Sequence, residues 1–146
     1  MPNMDSIPKD IERYWFMHII QSMLHRPYIW GGNDPLGFDC SGGVIYALQA
    51  VGRFPLGQDT TADGLWERFK SDKVEHPEAG CLLFWSDKDG KMIHVAVALD
   101  EHFCMTADAG GRATLTLEDA IKQDAFTKIR RIDHRMSYPR ICNIFK

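Results

Sequence analysis

An α+β domain is what this sequence predicts, with helices leading and an antiparallel sheet following. Three observations carry the prediction. Apolar residues recur at helical spacing from about Asp10 to Leu24, and again from Ser41 to Val51. From residue 80 onward the pattern changes to short apolar or β-branched runs separated by turn residues. The 146 residues suffice for one hydrophobic core and not comfortably for two, so residues 1–146 are read as a single domain.

The first helix places Ile11, Trp15, Ile19 and Met23 near one face, with Phe16, Ile20 and Leu24 beside them. It should stop before Pro27, because the residue preceding a proline is pushed out of helical conformation. Residues 28–43, YIWGGNDPLGFDCSGG, combine glycines and a proline with Tyr28, Trp30 and Phe38. That mixture reads as a tight, shaped loop held by aromatic anchors. The second helix puts Val44, Ile45, Leu48 and Val51 on one face, with Gly52 as its stop. A short helix over 60–70 takes Thr60 or Thr61 as its cap. Strands are expected at 81–85, 92–99, 103–108, 112–117, 128–133 and 140–145, with hairpin turns at 88–90 and 100–101. A last helix fits Leu117 to Ala125, with Glu118 and Asp119 in its first turn.

Charge and composition remove several function classes. Seventeen basic residues lie scattered among twenty acidic ones, with no basic stripe, so nucleic acid is not expected as a partner. No apolar run approaches the roughly 20 residues of a membrane span. The N-terminal MPNMDSIPKDIERYW carries charges where a signal peptide has an apolar stretch. The expected location is therefore cytoplasmic, phage-associated or outside the cell by a non-classical route. The four cysteines, Cys40, Cys81, Cys104 and Cys142, form no C-x-x-C pair. Three read as small buried hydrophobes. No metal or other cofactor is expected, since Cys40, His94 and Cys104 match no common zinc spacing.

Cys40 differs by context. Asp39 is a good N-cap residue, which places Cys40 in the first turn of the second helix. The helix dipole and nearby backbone N–H groups there favour a thiolate. Ser41, Gly42 and Gly43 follow, small enough for a substrate to approach. The Cys40 N–H is placed to meet a developing oxyanion. A thiol nucleophile needs a base. Of the six histidines, His94 alone lies inside an apolar strand, MIHVAVAL, and is the expected partner. An imidazole also needs an orienting group. If 92–99 and 103–108 form a hairpin with an odd-length loop, Thr106 and Asp108 share the His94 face. Asp108 would accept a charge-assisted hydrogen bond and Thr106 a neutral one. Asp108 reads equally well as a turn residue before Ala109-Gly110-Gly111.

These residues resemble a known family. YIWGGNDPLGFDCSGGVIYAL is similar to the signature of the NlpC superfamily of papain-like cell-wall cysteine peptidases. PEAGCLLFW and HVAVAL resemble two later strands of that family, in the same order, so the likeness covers about residues 12 to 110. It implies a compact papain-like domain with the nucleophile helix packed on an antiparallel sheet. It implies Cys40 as nucleophile, His94 as base, and cleavage of peptidoglycan stem peptides beside γ-linked D-glutamate. Tyr28 matches a cleft tyrosine, and Trp30 belongs to the same motif on the substrate side. Asp39 and Ser41 match residues that help bind the substrate's amino end. Three positions depart from the pattern. Thr106 stands where the third catalytic residue is usually histidine, Cys81 where aspartate is usual, and Gly43 where a bulky apolar residue is usual. The expected partners are peptidoglycan peptides or muropeptides, with a larger assembly or a separate partner supplying wall targeting. The competing expectation is a weakened module of the same fold that binds wall fragments or an assembly partner.

Overall fold

The computed structural model describes residues 7–34, 37–108 and 110–146. Pro35 and Leu36 of the glycine-rich loop, and Ala109 of the expected turn, lie outside them. The leading helix α1 spans Lys9–Ser22 and buries Phe16, Met17 and Ile20. Two short paired strands, β1 (Asn33–Asp34) and β2 (Gly37–Phe38), precede α2 (Cys40–Ala50). Ser41 through Ile45, Ala47 and Leu48 are all buried, so α2 is a central helix rather than a surface one. Helix α3 (Ala62–Phe69) starts at Thr61, whose side chain accepts a hydrogen bond from the Gly64 N–H.

The remaining strands form one sheet. They are β3 (Lys73–Val74), β4 (Leu82–Ser86), β5 (Met92–Ala98), β6 (Phe103–Ala107), β7 (Thr127–Arg131) and β8 (Arg140–Cys142). Their order is β3-β8-β4-β5-β6-β7, and every neighbouring pair is antiparallel. The strand period of two divides the side chains between two cores. Leu82, Phe84, Val95, Val97 and Met105 face the helices and pack with Phe16, Ile45, Leu48 and Leu65. Leu83, Trp85, Ala96, Ala98 and Cys104 face the other way and pack with Ile132 and Ile141. The fold is thus the expected α+β arrangement, with the helix that begins at Cys40 packed on the antiparallel sheet.

One expected strand is absent. Residues 112–117, RATLTL, form a turn and then a helix cap. Thr116 accepts from the Asp119 N–H, and Asp119 accepts in return from the Thr116 N–H, a capping box that opens α4 (Leu117–Gln123). The Thr114 hydroxyl bonds Gln123 Oε1 and accepts from the Gly111 N–H. Threonine hydroxyls that satisfy local backbone compete with a sheet ladder, and here the local bonds win over β propensity. The last strand also ends early, at Cys142. Asn143 turns the chain, donating from Nδ2 to Glu78 and accepting the Phe145 N–H at Oδ1.

Candidate active site

The loop before α2 is built to hold one residue at the start of that helix. Asp39 caps α2, its Oδ1 accepting from the Gly42 N–H at 2.6 Å and from Ser41 Oγ at 3.3 Å. Its Oδ2 accepts from the Gly31 N–H at 3.2 Å, tying the loop to the helix. Gly31 adopts φ +74°, a left-handed conformation natural to glycine. A Cβ on Gly42 would come within 1.9 Å of the Gly32 carbonyl oxygen, so loop and helix touch backbone to backbone. These contacts explain the glycines of the motif. They leave Cys40 as the first residue of α2, as the sequence predicted.

The sheet opens where that helix meets it. Strands β5 and β6 pair only at Val97↔Met105 and Ala98↔Cys104. β4 continues alongside β5 to Met92, and β7 alongside β6 to Ala107. Val95 of β5 lines the same small cavity as Cys40, and its N–H favours the charged form of the sulfur. His94, the preceding residue, points to the opposite face, where its ring lies 5.4 Å from that of Trp85. Its Nε2 lies 2.7 Å from Thr106 Oγ1 of β6. His94 is 6% exposed and Thr106 2%, so this contact is shielded from water.

Between the two orienting candidates, the geometry separates roles. Thr106 touches the imidazole. Asp108 lies past the end of β6, with its Oδ2 3.1 Å from Arg130 Nε, and its charge acts on His94. If Nε2–H donates to the Thr106 hydroxyl, Nδ1 is left with a free lone pair, the tautomer a base requires.

The electrostatics correct one expectation. The helix start was expected to favour a thiolate, yet burial pushes the Cys40 thiol up to about 11. The Val95 and Ser41 N–H groups pull the other way, and the Asp39 carboxylate adds to the rise. Desolvation wins because a sulfur anion loses more on leaving water than two amides return. Burial likewise drives His94 down to about 3, helped by the positive charge of Arg135. At neutral pH the resting pair is therefore thiol and neutral imidazole.

The predicted substrate residues divide. Tyr28 is buried, and its ring lies against Gly110, where a Cβ would meet Cδ1 at 2.0 Å. Burial and the nearby Cys40 and Asp39 hold its hydroxyl in the neutral form. Asp39 and Ser41 bond each other at the helix start, with Ser41 7% exposed. Trp30 is exposed, with the Arg112 guanidinium 5.8 Å from its ring, and its backbone N–H donates to the Thr114 carbonyl. Among the described residues no three His, Cys, Asp or Glu side chains gather as metal ligands.

Sequence reasoning missed Trp85, His134 and Arg135. Trp85 reads as an ordinary core aromatic, while His134 and Arg135 lie in a polar run. The connection between β7 and β8 brings all three together. Trp85 Nε1 donates to the Ser137 carbonyl at 3.0 Å, the His134 ring meets the indole edge-on at 5.6 Å, and the Arg135 guanidinium lies 5.8 Å from the indole centre.

Comparison with known proteins places this geometry. Residues 25–131 match the NlpC/P60 family. Over 134 residues the chain is 28% identical to the gamma-D-glutamyl-L-lysine dipeptidyl-peptidase of Bacillus subtilis, covering 87% of this chain and 44% of that protein. The chain spans between 14% and 48% of the first curated relatives it matches. The NlpC/p60 domain of the peptidoglycan hydrolase SagA superposes with a TM-score of 0.65 at 24% identity, over 90% of this chain and 98% of that one. RipD of Mycobacterium tuberculosis, a non-catalytic NlpC/p60 domain protein, superposes with a TM-score of 0.64 at 15% identity, over 91% and 97%. Both likenesses concern the fold.

Proposed function

The chain belongs to the NlpC/P60 family, and from that premise we propose that it is a cysteine hydrolase cleaving amide bonds of peptidoglycan stem peptides. One observation carries the reading: the helix capped by Asp39 begins at Cys40, which shares a small cavity with Val95, and the preceding residue of that strand is His94, held by Thr106. The bond proposed is the one beside γ-D-glutamate, in keeping with the name of the Bacillus subtilis relative. Wall targeting by a partner or a larger assembly is part of the proposal.

The chemistry follows from the neutral resting pair. Cys40 Sγ attacks the scissile carbonyl carbon as its proton passes to His94 Nδ1, forming the C–S bond and a tetrahedral oxyanion. The Cys40 N–H, first of α2 and without an intrahelical acceptor, is positioned to hold that oxygen. The imidazolium then returns its proton to the leaving amine as the C–N bond breaks. Water, deprotonated by His94, hydrolyses the thioester and frees the thiol. On this reading Thr106 holds the ring through Nε2, which leaves Nδ1 as the atom that takes and returns the proton. Asp39 and Ser41 receive the substrate's amino end beside the nucleophile, with Tyr28 and Trp30 lining the approach.

A second reading has its own support. Burial holds thiol and imidazole neutral, and Thr106 brings no charge to the ring. On that reading the cleft binds wall fragments or an assembly partner without cleaving them. Incubation with purified muropeptides, with products identified by mass spectrometry, distinguishes the two. Cleavage by the wild type that Cys40→Ala and His94→Ala both abolish, with folding intact, supports the enzyme. Binding of muropeptides without products across several stem chemistries supports the module. Equal cleavage by wild type and Cys40→Ala overturns the nucleophile.

A further inference from the structure

The connection between β7 and β8 is held as a platform beside the proposed pair. Ile132 is buried in the second core, and its N–H donates to the His102 carbonyl at 2.8 Å. His134 N–H donates to the Arg131 carbonyl, and the Ser137 carbonyl accepts from Trp85 Nε1. Between these anchors Arg135 is half-buried over the Trp85 ring, the same ring that packs against His94.

Arg135 takes part in no ion pair among the described residues, whereas the neighbouring Arg130 and Arg131 each stand beside an aspartate. A half-buried guanidinium that stacks on an indole has its planar fork free for a carboxylate. Its charge also acts on both the Cys40 thiol and the His94 ring, and its guanidinium shares the Trp85 ring with His94. Asp39, at the start of α2, acts on the thiol with the opposite sign. Asp108 likewise acts on the imidazole against Arg135.

We infer that Arg135 is a specificity-determining residue that reads a carboxylate carried by the substrate next to the scissile amide. The inference rests on the hydrolase reading above. It goes beyond that reading by selecting stem peptides whose carboxyl groups are free over those in which they are amidated.

Two measurements test it. The first compares kcat/KM for synthetic stem peptides that differ only in amidation, one set at the glutamyl α-carboxylate and another at the residue after the bond. Wild type is expected to prefer the free carboxylate in one set by roughly 10- to 100-fold, the range of a charge-assisted bidentate contact of about 1.5–3 kcal/mol. Arg135→Gln should collapse that preference, and Arg135→Lys should restore part of it. An unchanged preference in Arg135→Gln overturns the inference.

The second measurement needs no peptidoglycan. Cys40 is alkylated with iodoacetate or iodoacetamide, and its modification is followed by peptide mass mapping. A guanidinium beside the sulfur raises the iodoacetate-to-iodoacetamide rate ratio, and Arg135→Gln should lower it several-fold. Equal ratios, or a Cys40 unreactive to both reagents in the folded protein, overturn the inference. A wild type that cleaves no peptide yet shows the Arg135-dependent ratio overturns the hydrolase reading and keeps the anion site.

Discussion

Thr106→Val removes one oxygen from a contact shielded on all sides. The substitution keeps volume and β-branching, so the sheet pairing of Thr106 with Lys128 is retained. What is lost is the 2.7 Å contact to His94 Nε2, which leaves a buried ring nitrogen without a partner. An unsatisfied buried donor costs about 1–3 kcal/mol. If that cost falls on the transition state, where the ring must hold Nδ1 toward the sulfur, it corresponds to a drop in kcat/KM of about 5- to 150-fold. Asp108→Asn, by contrast, removes a charge that acts on His94 while it faces Arg130. It should lower the rate by less than about 5-fold, as expected of a carboxylate already facing a guanidinium. The assay is cleavage of a defined stem peptide by wild type and both variants, with urea unfolding as a check on the fold. A Thr106→Val enzyme within 2-fold of wild type (roughly the floor that a lost hydrogen bond allows), beside an Asp108→Asn enzyme severely impaired, would refute the assignment.

Two further outcomes follow from burial and close packing. Folded His94 takes its proton only near pH 3, whereas the unfolded residue does so near pH 6.5. Between those values the unfolded chain binds more protons, so the contribution is full above pH 6.5 and is lost as pH falls through that window. Urea midpoints measured across it should fall more steeply for wild type than for His94→Gln, and parallel curves would count against a buried neutral imidazole. Gly42→Ala places a methyl 1.9 Å from the Gly32 carbonyl oxygen and should cost about 1–3 kcal/mol or more in urea unfolding. Wild-type stability in that variant would mean the loop does not rest on the helix.

Much of the site was legible because its determinants are local. Asp39, Cys40 and Gly42 form a helix start whose cap and close contact lie within a few residues of each other. His94 was recognisable as the one imidazole in an apolar strand. Thr106 was placed on the His94 face by strand period alone, though choosing it over Asp108 needed the distances. What the sequence concealed is non-local. Residues 112–117 have strand composition, but Thr114 and Thr116 spend their hydroxyls on a turn and a cap. The thiol's resting state turns on desolvation, which depends on what packs above Cys40 rather than on the dipole below it. Trp85 and Arg135 meet only because β8 lies next to β4 in the sheet, so their connection crosses over the indole.

The small cavity beside Cys40 has a spectroscopic consequence. The Val95 amide, on the cavity it shares with Cys40, is placed to sense the chemistry of the sulfur. That sulfur is a thiol in the resting protein, becomes a thioether after alkylation and, in the proposed reaction, a thioester. Each of those sulfurs attracts the hydrogen to a different degree. One backbone resonance would thus serve as a built-in gauge of the chemical state of the sulfur.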